Sequence, residues 1–177
     1  MQATAPHYID AFRWWFGEMT EACGQLDTII RERRCSDSGE VKVVDTEDAY
    51  AFMVRFQNGG LGTVTMNYMA WQGSGERIEA YGSEGALVIG NDHLLRGSRK
   101  DRGQLEVLPL PARPTPFPVK GWGREALSFL VERAVKSIRG DRKASPNFYD
   151  GMKCQEVMDA VRRSTDERRW VKLSAGK

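Results

Sequence analysis

The sequence predicts an α+β domain, an open and largely antiparallel β-sheet with its helices gathered on one face. Three observations carry this. Between about residues 48 and 108, short alternating segments are separated by glycine-rich turns too short for crossover helices, so neighbouring strands run antiparallel. Helical periodicity is confined to residues 6–16 and to the chain beyond 124. The 177 residues, 41% hydrophobic and 28% charged, have the balance of one ordinary domain that needs no metal or disulfide to fold.

Taken in order, residues 6–16 open on Pro6 and close at Gly17, which suits a short helix. Tyr8, Ala11, Phe12 and Trp15 share one face of it, and His7, Asp10 and Trp14 share another. The stretch from Gly17 to Ile30 lacks a helical period and reads as a strand. Residues 31–46, charged and carrying Ser-Asp-Ser-Gly, read as a loop. Tyr50, Phe52, Val54 and Phe56 then alternate with Ala51, Met53 and Arg55. Asn58-Gly59 offers a tight primed turn, and alternation resumes from Thr63 to Met69. The second face of this hairpin, with Ala51, Met53, Thr63, Thr65 and Met69, suits packing against another sheet.

Further strands are expected at 77–81, 86–89, 93–95 and 105–108, followed by a proline-rich crossing segment from Pro109 to Pro118. A helix over 124–139 has Leu127, Leu130, Val131, Ala134, Val135 and Ile138 in helical period and Glu132 and Lys136 as an outer pair. A last helix begins at Asn147, capped reciprocally with Asp150, and buries Cys154, Val157, Met158 and Val161. Trp170, Val171 and Leu173 form a terminal strand.

Composition excludes several classes. No apolar run approaches the ~20 residues of a membrane span, and the N-terminus lacks a secretory layout. Cys23, Cys35 and Cys154 are odd in number and widely spaced, so they read as thiols of a reducing compartment, by default the cytoplasm. A net charge of +2, with each arginine cluster interleaved with acids, is no nucleic-acid footprint.

For chemistry, the glycines at 73, 75, 82 and 85 stand between strands, whereas a dinucleotide fingerprint needs strand, turn and helix. The two histidines, His7 and His93, have no cysteine partners that would make a metal set. What remains is His7 with Asp10, at i and i+3 on one helix, where a carboxylate can orient an imidazole or share a substrate hydroxyl. Histidine takes and returns protons near neutral pH. A histidine that merely packs at a helix start fits the spacing as well.

The string HYIDAFRWWFGE, from His7 to Glu18, resembles the segment that opens the C-terminal domain in the glucose-fructose oxidoreductase, inositol dehydrogenase and rhizopine-catabolism family, known as Gfo/Idh/MocA. DAYAFMVRFQNGGLGTVTMNY (Asp48 to Tyr68), IEAYGSEGALVI (Ile78 to Ile89) and NFYDGMKCQEVMDAVRRSTDERRWVKL (Asn147 to Leu173) resemble the same family in the same order. The resemblance implies a C-terminal domain like that of glyceraldehyde-3-phosphate dehydrogenase, which supplies substrate contacts and the oligomer interface. It also implies a separate Rossmann domain holding NAD or NADP.

On that basis residues 1–177 are expected to be one substrate-binding and oligomerisation domain of an oxidoreductase of sugars or polyols. The Rossmann domain is expected to be absent from this chain, with no cofactor bound to the chain alone. The resemblance makes His7 the catalytic acid/base. It makes Trp71 and Arg77 substrate-binding residues and the sheet face the homo-oligomer contact, with neither nucleic acid nor membrane as partner. Asp10 and Trp14, on the His7 face, are expected to bind substrate beside it, a core aromatic fitting Trp14 equally well. One departure matters: many catalytic members have Asp four residues before the histidine, and Ala3 stands there. A non-catalytic oligomerisation or carbohydrate-binding module on the same scaffold is the alternative.

Overall fold

The computed structural model describes residues 1, 3–111, 114–118, 120–140 and 143–174. The chain forms two compact units, Met1–Ala70 with Arg142–Lys177, and Trp71–Asp141. The mixture of helices and antiparallel strands is α+β.

In the first unit, helix α1 (Ala5–Phe16) carries Pro6 in its opening turn and stops at Gly17, whose φ of 90° favours glycine. The stripe Tyr8, Ala11, Phe12 and Trp15 is not its buried face. Ala5, Ile9 and Arg13 are, at i, i+4 and i+8, with Phe12 and Phe16 partly covered and Trp15 exposed. A count of apolar residues skips a buried arginine, and Arg13 sets the helix rotation.

Strand β1 (Met19–Asp27) runs antiparallel to β4 (Ala49–Phe56) and β10 (Val171–Lys172), and β5 (Leu61–Asn67) completes a sheet of order β10-β1-β4-β5. Tyr50, Phe52, Val54 and Phe56 point into the core while Ala51, Met53 and Arg55 face out, as a period of two requires. The covered face meets α1 and helix α3 (Phe148–Glu167), through Ala5, Ile9, Cys154, Val157, Met158 and Val161. Tyr50 stacks on Phe52 with ring centroids 6.0 Å apart, and Phe16 meets Phe56 edge-on at 5.6 Å. Ile9, Val54, Val157, Val161 and Val171 are fully buried, each stabilising by about 1.5–3 kcal/mol relative to exposure.

The β4–β5 connection differs from the expected two-residue primed turn. Only Gly59 has positive φ, at 90°; Gly59 N–H donates to Phe56 O (2.9 Å) and Phe56 N–H to Gly60 O (2.8 Å). This is a three-residue loop with glycine at the bulge position. Asn58 instead uses its side chain, donating to Phe16 O at 3.2 Å and so tying the hairpin to the end of α1. Met69 lies in a turn beyond β5, off the sheet face expected for it.

Where a loop was expected, β2 (Glu32–Arg34) and β3 (Val41–Val43) form a two-stranded ribbon. Every residue of both strands is exposed, so no apolar alternation marks it. Asp48 anchors its base, accepting from the N–H groups of Ile29 (2.7 Å) and Ile30 (3.1 Å) and from Arg33 (3.3 Å). At α3 the expected capping box is present. Asn147 Oδ1 accepts from Tyr149 N–H at 2.7 Å, and Asp150 Oδ2 from Asn147 N–H at 2.8 Å.

The second unit contains an antiparallel meander of β6 (Ile78–Gly82), β7 (Gly85–Ile89), β8 (Leu95–Arg99) and β9 (Glu106–Val107), in that spatial order. The strand expected at 93–95 begins at Leu95 because His93, with φ 58°, sits in the preceding turn. Helix α2 (Trp122–Ile138) has the expected Glu132–Lys136 pair at 2.7 Å. Its periodic residues Leu127, Leu130, Val131, Val135 and Ile138 are exposed. Of the proline-rich segment expected from 109 to 118, residues 112 and 113 lie outside the described residues, and the rest carries no helix or strand.

Candidate functional site

The five expected site residues divide between the units. His7, Asp10 and Trp14 lie on α1, while Trp71 and Arg77 belong to the second unit. With Ala5, Ile9 and Arg13 turned into the core, His7 is exposed, Asp10 is partly covered and Trp14 is 82% exposed. An imidazole, a carboxylate and an indole thus stand together on the solvent side of one helix. Trp71 is 92% exposed. Arg77, at the entry to β6, is held by Glu79, its Nη2 at 2.6 Å from Oε1.

Beneath His7 and Asp10 lies a charged cluster that a reading by motif does not reveal. Arg13 is buried. Its Nη2 and Nε donate to the two carboxylate oxygens of Glu18 at 2.6 and 3.1 Å, a bidentate fork. Its Nη1 faces Asp10 Oδ1 at 3.7 Å and Asp150 Oδ1 at 3.5 Å, and donates to Asp150 O at 3.4 Å. One guanidinium therefore links three carboxylates from α1, the α1–β1 connection and α3. Asp150 was legible only as a helix cap, and it serves as cap and ion partner together. The signal available in the sequence was the spacing of Asp10, Arg13 and Glu18, of which only Asp10 was given a role.

The electrostatics follow. Partial burial, reinforced by Asp150, pushes the Asp10 carboxyl above its usual range, against the opposing pull of Arg13 and His7. Hydrogen bonds from Arg13 hold Glu18 below its usual range, and the same fork strengthens the hold of Arg13 on its own proton. Burial raises the Cys154 thiol, which contacts Pro6 O at 3.7 Å. A carboxylate pushed up behind an exposed imidazole is suited to proton exchange.

A cleft of about 450 Å³ in the first unit contains none of the five residues. It runs between Asp27 and Thr28 at the end of β1, Asp45, and Arg162 and Asp166 on α3, and its mixed charges do not converge on one chemistry. Among the described residues no group of three or more histidine, cysteine or acidic side chains could hold a metal ion, and no helix is long and apolar enough to cross a membrane.

This α+β fold has counterparts among known oxidoreductases. The GFO/IDH/MocA C-terminal domain profile matches residues 1–88. An uncharacterised oxidoreductase from Synechocystis is 31% identical over 179 residues, covering 96% of this chain and 48% of that protein. Levoglucosan dehydrogenase from Pseudarthrobacter phenanthrenivorans is 29% identical, covering 94% and 50%. Among solved structures, levoglucosan dehydrogenase in complex with NADH and L-sorbose superimposes with a TM-score of 0.82 at 25% identity, over 97% of this chain and 50% of that one. The chain belongs to the Gfo/Idh/MocA oxidoreductase family, as a C-terminal domain. It spans about half the length of the curated relatives it matches.

Proposed function

We propose that this chain is the substrate-binding and oligomerisation part of an NAD(P)-dependent oxidoreductase of sugars or polyols, with His7 as its proton-handling residue. The observation that carries the reading is the solvent face of α1, where an exposed imidazole is backed by a carboxyl pushed above its usual range. Relatives named levoglucosan dehydrogenase and myo-inositol 2-dehydrogenase support the substrate class.

Oxidation of an alcohol releases a hydroxyl proton. His7 is placed to accept it, and Asp10 to favour the imidazolium that results. Trp14 offers an apolar ring face for a sugar's C–H groups; Trp71 and Arg77 are proposed substrate contacts of the second unit. Among the described residues nothing has the strand, glycine turn and helix that cradle a pyrophosphate, and α3 spends its N-terminal groups on its own capping box. The dinucleotide is therefore assigned to a Rossmann domain outside this chain, and the residues here carry no step through it. The three thiols, none in a disulfide, suit the cytoplasm.

The test is His7→Asn in a protein carrying this chain joined to its nucleotide-binding domain. Turnover should fall by 10²-fold or more, on the order expected for a lost general base, with KM changed far less. An unchanged kcat reduces His7 to a surface residue. Calorimetric titration of the isolated chain with NADH and NADPH should give no micromolar binding. The second reading, a non-catalytic module, is favoured by Ala3, exposed one turn before His7 where catalytic relatives in the family place Asp. Retained sugar binding without turnover in the joined protein selects it.

A further inference from the structure

Resting on that reading of His7 and Asp10, we infer that Arg13 and Asp150 are positioning residues for the pair. Arg13 fixes the Asp10 carboxylate against α3, and Asp150 supplies surplus negative charge that an imidazolium at His7 would neutralise. The geometry comes first. The fork to Glu18 immobilises the guanidinium, because two of its nitrogens are committed at 2.6 and 3.1 Å. The remaining Nη1 is thereby held in one place, and it is this nitrogen that both Asp10 and Asp150 approach. Asp150 is itself fixed from behind, since its Oδ2 accepts from the N–H of Asn147 while its Oδ1 turns to Arg13. Asp10 meets the same Nη1 through its Oδ1 at 3.7 Å, and this ion pair ties the orientation of its carboxylate to Arg13.

The groups facing Asp10 are His7 and Arg13 on its own helix and Asp150 and the Cys154 thiol on α3, while Glu18 holds Arg13 from the following connection. Lys153, also on α3, is committed elsewhere, its Nζ at 2.6 Å from Glu156 and at 3.2 Å from Ser174 O. Three carboxylates thus share one guanidinium, which leaves them an excess of negative charge. A proton taken by His7 reduces that excess, whereas a neutral His7 leaves Asp10 beside a like charge. Burial first, and Asp150 after it, push the Asp10 carboxyl above its usual range. A lysine could not replace Arg13, because one ammonium cannot grip Glu18 bidentately and still hold two further carboxylates in fixed geometry.

The measurement is a carbon-detected NMR titration of the full 177-residue chain with labelled aspartate and histidine, comparing wild type, Asp150→Asn and Arg13→Lys. The asparagine still accepts from Asn147 N–H, so the cap survives in the variant that removes only the charge, and an unchanged amide spectrum confirms the fold. The Asp10 midpoint should fall in Asp150→Asn and rise in Arg13→Lys. In each protein the His7 ring carbons should show an inflection that moves with it. If the Asp10 midpoint is the same in the wild type and both variants while the His7 ring still reports it, the positioning role is overturned and the His7–Asp10 pair stands. If the His7 ring shows no inflection at the Asp10 midpoint in any of the three, the pair itself is overturned, and the positioning role with it.

Discussion

The hydroxyl of Ser164 on α3 accepts the N–H of Gly24 on β1 at 3.0 Å, in the stretch of β1 beyond the two residues that pair with β10. The same hydroxyl donates to Arg169 O at 2.7 Å. Its neighbour Thr165 continues the substitution, accepting from Leu26 N–H at 3.2 Å and lying 3.3 Å from Gly24 O. A helix thus supplies side chains where a neighbouring strand has ended, and the edge of β1 stays satisfied under cover.

Ser164→Ala removes both bonds and leaves a covered backbone N–H without a partner. The expected loss is about 1–3 kcal/mol in ΔG of unfolding, read as a lower urea midpoint with an unchanged slope. A loss under a few tenths of a kcal/mol would show that water replaces the hydroxyl.

Gly24 is required by space. A Cβ there would lie 2.5 Å from Phe52 Cβ and 2.6 Å from Ala51 O, atoms of the paired strand that cannot swing away. Gly24→Ala should therefore exceed the usual 1–3 kcal/mol of overpacking, and thermal melting checks it. A variant within about 0.5 kcal/mol of wild type would mean that β1 and β4 separate readily.

These contacts mark the boundary of what the sequence discloses. Alternation at Tyr50–Phe56 and the Asn147/Asp150 cap are local patterns, each decided within a few residues, and both stand in the structure. The buried face of α1 was not legible because Arg13 is buried by partners at 18 and 150, and a periodicity count sees neither. The β2–β3 ribbon was missed because its strands are only three residues long and exposed on both sides, Glu32–Arg34 charged throughout and Val41–Val43 too short to show an alternation. At the site, His7 and Asp10 could be placed together by spacing alone, but the ion cluster beneath them depends on tertiary contact.

Opposite displacements of two carboxyls give opposite pH dependences. Glu18 is held below its usual range, so its stabilisation is present above the unfolded pKa and is lost as pH falls through the folded one. Asp10 is pushed up, so its contribution is present below the unfolded pKa and is lost as pH rises through the folded one. At pH 7 Glu18→Gln should lower the urea midpoint and Asp10→Asn should raise it. Both differences should shrink towards pH 3, below the usual carboxylate range of about 4. Equal effects at the two pH values would show that packing, not ionisation, governs these positions.

The last expectation concerns the uncovered face of the first-unit sheet. Cys23, Met53 and Thr63 form one cross-strand row on it, and Gln25, Ala51 and Thr65 the next. None of the six is charged, and Met53 is 39% exposed. Glu21 and Arg55, in the adjacent row, neutralise each other at 2.8 Å, and Arg55 also lies over the Trp170 ring. An uncharged sheet face on which Ala51, Thr63 and Thr65 are small permits close approach of an identical face, and a two-fold axis would set the same patch on both partners. Light scattering should find the chain as a dimer or tetramer. Thr65→Lys, which places an ammonium in the middle of the patch while leaving the core face of β5 untouched, should shift it to monomer, because burying an unpaired charge outweighs the apolar gain. A monomeric wild type, or an oligomer indifferent to the lysine, would assign self-association to another surface.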